Sequence, residues 1–211
     1  MNEHQPPSES KRLESLWGGE FGDSYVDRNR TAGSPREPFW RRMLAEFNAR
    51  TVLEVGCNLG ANLRWIAMQR PPQQVYGVDV NLKALSELRR TLPDVNAVWG
   101  VGRELPFRDG WFDMVFTMGV LIHQSEITLP VVMSEVVRCS RQYILCGEYF
   151  AEHTTEVPYR GQTGALFKRD YGRIYQEHFP DLRLLQRGFL GRDQGWDDVT
   201  YWVFEKTSIR A

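Results

Sequence analysis

The stretch LEVGCNLGANL, residues 53–63, decides the fold. It continues a short run with the character of a buried strand, TVLEV (51–55), and a helical pattern follows over residues 60–70. Between the two, Gly56 and Gly60 have no Cβ, so the backbone of the turn can lie directly against a ligand. Unpaired N–H groups at the start of the helix add hydrogen-bond donors. The stretch therefore predicts a ligand site at a strand-to-helix turn.

The residues around the two glycines indicate which ligand the turn binds. A dinucleotide site has the pattern GxGxxG and places a pyrophosphate at the turn. Here the pattern is ExGxxxG, with Asn58 where the second glycine would be and Glu54 on the strand just before the turn. A carboxylate is unfavourable beside a pyrophosphate and favourable beside an ammonium group, which it contacts directly or through water. This favours S-adenosylmethionine over NAD.

A second acidic residue ends the next predicted strand, QVYGVDV (74–80). Asp79 stands 25 positions after Glu54, where a carboxylate can accept hydrogen bonds from both ribose hydroxyls. The alternative is an acid that only caps the following helix. Together, the two acids on successive strands predict a methyltransferase that uses S-adenosylmethionine. The predicted cofactor-binding residues are Glu54, Gly56, Cys57, Asn58, Gly60, Asp79, Val80, Val101, Gly102, Met118 and Gly119.

Members of this set have different expected roles. Cys57 is interpreted as a small filler of the glycine turn and not as a nucleophile. The turn after the third strand often begins with an acid in such enzymes, but here it contains Val101, Gly102 and Arg103. We therefore expect backbone N–H groups to contact the adenine. Met118 and Gly119 are expected to lie close to the sulfonium or its methyl group.

Strand and helix patterns alternate on both sides of the glycine turn. This order predicts an α/β, Rossmann-like fold of the class I methyltransferase type, with a mostly parallel seven-stranded sheet and a C-terminal antiparallel hairpin. Residues 1–12 are predicted to be a disordered tail, and residues 13–211 a single domain whose residues 13–50 form a helical cap or lid. The predicted strands span 51–55, 74–80, 96–101, 141–150, 182–192 and 199–206, and a further strand lies within 112–122. The predicted helices span 38–49, 60–70, 82–92, 129–139 and 166–179.

Catalytic and substrate-binding candidates follow the later strands. His123 and Glu148 come after the fourth and fifth strands, at the sheet edge where ligands bind, and are the candidate catalytic residues. The alternative for His123 is that it only packs or orients a loop. The cations among the substrate-binding candidates would pair with a carboxylate or phosphate, unless they belong to a solvated surface. The substrate-binding candidates are Tyr25, Tyr149, Tyr159, Arg160, Lys168 and Arg169.

Composition excludes several classes of protein. The 211-residue chain has a formal net charge of −1 and no basic block, which argues against a nucleic-acid partner. Three cysteines without a CxxC pair, and no cluster of histidines and carboxylates, argue against a disulfide framework and a metal site. No leader or membrane span is predicted. The expectation is a cytoplasmic enzyme with a small-molecule substrate, whose oligomeric state the sequence does not determine.

Beyond the cofactor motif, the chain resembles the pseudaminic acid biosynthesis-associated methylases, a small group of class I methyltransferases. The resemblance implies methylation of a sugar or another small metabolite in a pathway to nine-carbon acidic sugars, or of other small polar acids in natural-product pathways. It runs from residue 17 to the end of the chain, and its most specific motifs are WGGEFGDSYVDRN (17–29), VPYRG (157–161) and LFKRDYG (166–172). The other matching stretches are LEVGCNLGANL (53–63), YGVDVN (76–81), MGVLIH (118–123) and EYF (148–150).

Two other functions remain open at this stage. One is a cofactor-binding protein without catalysis that regulates or scaffolds a sugar pathway. The other is an NAD-dependent oxidoreductase, which shares the sheet and the ribose-binding acid but has the GxGxxG pattern that this chain lacks. Nucleic-acid methylation is a weaker alternative, because no Asn/Asp-Pro-Pro-Tyr/Phe sequence follows the fourth strand.

Overall fold

A seven-stranded sheet forms the centre of the protein. The structure is a computed structural model that describes residues 8–30 and 35–207. The seven strands are β1 (Val52–Val55), β2 (Val75–Asp79), β3 (Asn96–Trp99), β4 (Phe112–Met118), β5 (Ser140–Glu148), β8 (Leu182–Leu190) and β9 (Val199–Lys206). The sheet order is β3-β2-β1-β4-β5-β9-β8, in which the first five strands run parallel and β9 pairs antiparallel with both neighbours. The predicted mostly parallel sheet and its C-terminal antiparallel hairpin are confirmed.

Helices cover both faces of this sheet. Because side chains alternate along a strand, Val52 of β1 packs with α3, α4 and α5, whereas Leu53 packs on the opposite face with α6 and α7. Burial on both faces explains why β1 and β4 are mostly apolar and are buried along nearly their whole length. The helices are α1 (Glu9–Gly18), α2 (Glu20–Asn29), α3 (Glu37–Phe47), α4 (Leu63–Ala67), α5 (Leu82–Thr91), α6 (Leu129–Cys139) and α7 (Tyr171–His178). None of the helices in the described ranges is long and apolar enough to cross a membrane.

The N-terminal segment is more ordered than predicted. Residues 1–7 lie outside the described residues, but α1 already begins at Glu9, within the predicted tail. The Ser8 hydroxyl caps its first turn, and Arg12 pairs with Glu9 and donates to the Gly164 carbonyl at 2.8 Å. Gly19, in extended conformation, separates α1 from α2. Within the predicted cap, α1 and α2 form a lid, while α3 belongs to the core.

The segment predicted as a helix over 166–179 is divided in the structure. Phe167–Lys168 forms β7, which pairs with β6 (Thr155–Glu156) in a separate two-stranded sheet. The helix α7 starts only at Tyr171, because the Asp170 carboxylate accepts a hydrogen bond from the Arg173 N–H and caps the helix there. Residues 149–170, between β5 and α7, therefore contain a separate pair of strands. We call this segment the β-arm, and it packs against the lid.

Candidate active site

A cavity of about 230 Å³ opens at the carboxyl ends of β1, β2 and β4, beneath α1 and α2. This is the edge where open α/β sheets bind ligands. Ten of the eleven predicted cofactor-binding residues line it, and the exception is Gly60. The ten are Glu54, Gly56, Cys57, Asn58, Asp79, Val80, Val101, Gly102, Met118 and Gly119.

The two glycines of the turn have different roles. Gly56 has a φ of +72°, and a Cβ there would lie 2.5 Å from Val120, so this position requires glycine beside the cavity. Gly60 has a φ of +73°, but a Cβ there would lie 2.4 Å from the side chain of Leu88 on α5. Gly60 therefore packs the turn against a helix and does not line the cavity. Burial raises the pKa of the Cys57 thiol well above its ordinary value, which fits its interpretation as a filler.

Glu54 is the buried acid of the cavity wall. Its Oε1 accepts a hydrogen bond from Asn62 Nδ2 at 2.6 Å, and its Oε2 has no partner among the described residues. Asn62 is fixed in turn, because its Oδ1 accepts from Arg36 at 3.0 Å and from the Trp40 indole at 3.3 Å. Burial raises the pKa of Glu54 to about 8. A cationic partner in the cavity would stabilise the ionised form.

Asp79 organises the neighbouring wall. Its Oδ2 accepts from the Asn58 backbone N–H and its Oδ1 from the Asn81 backbone N–H, both at 2.8 Å. Burial raises the pKa of Asp79, and these hydrogen bonds oppose that shift. The Asn81 side chain caps α5 through its Oδ1, while its Nδ2 donates to Trp17 O and to Asp23 in the lid. Residues 79–81 thus connect the acid in the cavity wall to the first turn of α5 and to the lid.

His123 lies in the cavity wall with a defined tautomer. Its Nδ1 is 2.6 Å from the carbonyl oxygen of Ala165, which can only accept, so Nδ1 carries the proton and Nε2 keeps a free lone pair. Burial lowers the pKa of His123 to about 4, so the ring is neutral near pH 7. Nε2 is therefore unprotonated, and the lowered pKa also makes the ring a weaker base than an exposed histidine.

Glu148, the second catalytic candidate, lies behind the cavity and does not line it. Its side chain is fully buried, with Oε1 3.3 Å from the Val120 N–H and Oε2 3.2 Å from the Ile122 N–H. Burial raises the pKa of the Glu148 carboxyl to about 7. Because these bonds hold the turn that carries His123, Glu148 has the geometry of a positioning residue and not of one that touches a ligand.

Aromatic side chains of the lid and of the β-arm surround His123. The Trp17 ring lies 4.3 Å from the imidazole, and the Tyr159 ring lies 5.6 Å from it. Trp17 also contacts Phe21 at 5.3 Å and Tyr25 at 5.6 Å between ring centroids. Trp17, Phe21 and Tyr25 therefore form one packed aromatic cluster, and Trp17 and Tyr25 line the cavity.

The remaining substrate-binding candidates do not line the cavity. Tyr159 stands beside it, with its ring 5.6 Å from that of His123, and the partly buried Tyr149 packs against the hydrophobic core. Arg160 is exposed in the turn after Tyr159, and Lys168 lies in β7. Arg169 is buried, donating to the Gln124 carbonyl at 2.9 Å and stacking on the Phe167 ring. The cations predicted to bind an acidic substrate therefore stay outside the cavity in this arrangement.

Unsatisfied polar atoms mark the cavity as a ligand site. Three buried atoms of its wall have no hydrogen-bond partner among the described residues: Glu54 Oε2, Asn58 Oδ1 and Trp17 Nε1. Buried polar groups normally have partners, and leaving one unpaired costs about 1–3 kcal/mol. A polar ligand in the cavity would therefore give hydrogen-bond partners to two acceptors and one donor. No group of three or more His, Cys, Asp or Glu in residues 8–30 and 35–207 has the arrangement of a metal site.

Known proteins with the same architecture carry methyltransferase domains. Residues 52–142 match the family model described as a methyltransferase domain. A solved structure of the Burkholderia thailandensis 1,6-didemethyltoxoflavin-N1-methyltransferase superposes with a TM-score of 0.75 at 14% identity, covering 97% of this chain and 93% of that one. The fold is that of a class I methyltransferase. The magnesium protoporphyrin IX methyltransferase from Synechocystis shares it, with a TM-score of 0.68 and 12% identity, covering 94% of this chain and all of that one.

The two curated relatives match only part of the chain. A tRNA U34 carboxymethyltransferase from Alcanivorax borkumensis is 35% identical over 94 residues, which are 40% of this chain and 29% of that protein. A probable phthiotriol/phenolphthiotriol dimycocerosates methyltransferase from Mycobacterium ulcerans is 30% identical over 109 residues, which are 51% of this chain and 40% of that protein. The chain thus spans well under half the length of both curated relatives.

Several polar residues of the cavity were missed from the sequence, among them Arg36, Asn62 and Asp197. Arg36 precedes α3, Asn62 lies just before α4, and Asp197 lies in the loop between β8 and β9, yet all three line the cavity. Asn62 falls within the quoted motif, so its position eight residues after Glu54 was a usable signal. Arg36 and Asp197 belong to no motif, and only the packing of the chain ends brings them to the site.

Proposed function

We propose that the protein is an S-adenosylmethionine-dependent methyltransferase that acts on a small polar acceptor. The observation that carries the proposal is the unpaired oxygen of Glu54 in a cavity at the carboxyl edge of the sheet. This buried carboxyl sits where a dinucleotide enzyme places pyrophosphate, and it suits an ammonium group instead. Neighbours of the same fold were solved with S-adenosylhomocysteine or S-adenosylmethionine, which supports this assignment.

The cavity residues divide into sites for the parts of the cofactor. Glu54 would hold the ammonium group, Asp79 the ribose hydroxyls, and the backbone at Val101 and Gly102 the adenine. When bound, the cofactor supplies a methyl group on a sulfonium. The lid helices α1 and α2 would exclude water from this group, because Trp17 and Tyr25 form part of the roof.

The acceptor is proposed to lie beside His123. Motifs of the resembled family meet there, since Trp17, Tyr25 and Tyr159 belong to its most specific stretches and pack around the imidazole and one another. With its Nδ1–H held by the Ala165 carbonyl, His123 would take the proton of the acceptor at Nε2. Glu148 would maintain the position of this base through the two backbone N–H groups it binds.

The family resemblance points to an acidic sugar or its precursor as the acceptor. Of the three predicted tyrosines, Tyr25 lines the cavity and Tyr159 packs beside it against His123, so the phenolic hydroxyl of Tyr25 would offer a hydrogen bond to a hydroxyl group of such a molecule. Arg160, Lys168 and Arg169 lie outside the cavity wall, so recognition of the sugar hydroxyls is the stronger part of this assignment. A panel of acidic and neutral sugars, together with small heterocycles, is the appropriate first set of acceptors.

Two measurements test the proposal. Calorimetric titration with S-adenosylhomocysteine should show binding, whereas NADH should give none. Turnover of labelled S-adenosylmethionine with the acceptor panel should then fall at least 100-fold in His123→Gln. His178→Gln is the matched control, because His178 also has its Nδ1 on a backbone carbonyl, at 3.0 Å, but lies on the surface.

Other outcomes would favour the alternatives. Binding of NADH without S-adenosylhomocysteine would indicate an oxidoreductase. Binding of S-adenosylhomocysteine without turnover of any acceptor, together with unchanged pathway product in cells that carry His123→Gln, would indicate a cofactor-binding protein without catalysis.

A further inference from the structure

Arg36 is a preorganised cation in the cavity wall. Its Nη1 donates to Asn62 Oδ1 at 3.0 Å, its Nε donates to the Gly195 carbonyl at 3.3 Å, and its guanidinium stacks 4.3 Å from the Trp196 ring. These contacts hold the planar group in one orientation from three sides. Its Nη2 donates no hydrogen bond to a described residue, so donor capacity is left toward the cavity.

The charge of Arg36 is not balanced by an ion pair. No carboxylate in residues 8–30 and 35–207 comes within 4.0 Å of its guanidinium, whereas Arg103, the other arginine of the wall, pairs with Glu14 at 2.6 Å. The charges of Glu54 and Asp197 act to raise the pKa of Arg36. Burial lowers the pKa of Arg36, yet an arginine stays ionised. A half-buried cation without a close anion favours an anionic ligand group.

Asn62 connects this cation to the buried acid. Its amide donates to Glu54 through Nδ2 and accepts from Arg36 through Oδ1, so a single side chain sets the spacing between the two charged residues. An α-amino acid carries an ammonium and a carboxylate on the same carbon. Opposite charges separated by one amide bridge match such a group, with the acid for the ammonium and the guanidinium for the carboxylate.

We infer that Arg36 binds the carboxylate of the methionine portion of the cofactor, as the counterpart of Glu54 across Asn62. The inference rests on the proposed function and adds to it a specificity residue outside the glycine motif. It also assigns the free cation of the wall to the cofactor and not to the acceptor. A ligand that lacks the carboxylate would lose the contact with Arg36 and keep the one with Glu54.

The test is calorimetric titration with two probes. One is S-adenosylhomocysteine, and the other is S-adenosylthiopropylamine, the same molecule without its carboxylate. The wild-type protein should bind the first about 10- to 100-fold more tightly, the range expected for a hydrogen-bonded charge pair. Arg36→Met should weaken S-adenosylhomocysteine by the same factor and leave the second probe within about twofold. Arg36→Lys should give an intermediate affinity, because it keeps the charge without the planar fork.

A matched control separates a direct contact from the general loss of a positive charge. Arg64 lies close enough for its charge to affect Arg36, but it is exposed and does not line the cavity. Arg64→Met should therefore leave both affinities within about twofold. Retained binding of the probe without a carboxylate shows that Arg36→Met is folded.

Two results would overturn the inference. One is an unchanged affinity of Arg36→Met for S-adenosylhomocysteine, and the other is an equal loss for both probes, which would mean that Arg36 acts through packing. A wild-type protein that binds neither probe would instead contradict the proposed function itself.

Discussion

Glu54 should make binding of S-adenosylhomocysteine depend on pH. Burial raises the pKa of Glu54 to about 8, so at pH 7 only about one carboxyl in eleven is ionised in the free protein. An ammonium group in the cavity selects the ionised form, and binding at pH 7 should therefore release about 0.9 proton from this residue. Because the competent fraction grows with pH, affinity should increase roughly 15-fold between pH 6.5 and pH 8.

The assay is isothermal titration calorimetry at one pH in buffers with different ionisation enthalpies. The slope of the observed enthalpy against the buffer enthalpy counts the protons released. Glu54→Gln is the control, since it keeps the size and an oxygen that can accept from Asn62 but cannot ionise. This variant should bind more weakly, with little proton release and a nearly flat pH dependence. A flat profile in the wild-type protein, or undiminished proton release in the variant, would refute the role given to Glu54.

Three further predictions concern the framework of the site. Glu148→Ala should lower the free energy of unfolding by about 2–4 kcal/mol in chemical denaturation, because two backbone N–H groups lose a buried acceptor. Glu148→Gln should cost less, because it keeps one acceptor oxygen, and equal losses in the two variants would contradict this role. Gly60→Ala should cost about 2–3 kcal/mol through its clash on α5, whereas Gly119→Ala, with open space around the added Cβ, should cost only about 1 kcal/mol of backbone strain in the same assay. Asn81→Asp keeps the oxygen that caps α5 but loses the donor to the lid. With α5 intact, S-adenosylhomocysteine should dissociate about tenfold faster in a stopped-flow measurement. An unchanged rate would show that these hydrogen bonds do not hold the lid closed.

The cofactor side of the cavity was predictable because it depends on local sequence. Glu54 and Asp79 end adjacent parallel strands, and the sheet order brings such ends together whatever the rest of the chain does. Gly60 was included for the same reason, since its φ and its place in the motif are those of a ligand turn. In the structure, an added Cβ there would meet Leu88, which is distant in sequence.

The acceptor side was predicted less well, because it depends on tertiary packing. Glu148 follows the rule for strand ends, yet its side chain points into the interior and binds the turn before His123. Arg169 was expected at a substrate and is instead buried against Gln124 and Phe167. Arg36 stands next to a helix that looks purely structural, and its role emerges only from its contacts with Asn62 and the β8–β9 loop.

Polar contacts attach the lid to the rest of the protein, among them those of Asn81 with the Trp17 carbonyl and Asp23, of Lys83 with Asp27, of Arg103 with Glu14, and of Arg12 with the Gly164 carbonyl. A ligand that fills the cavity would contact the lid and the sheet at once, so it would add contacts that hold the lid closed. The amides of α1 and α2 would then exchange their hydrogens far more slowly in the occupied protein, while those of the central strands, already protected, would change little. Hydrogen exchange in residues 8–30 is thus the most direct measure of whether the cavity is occupied.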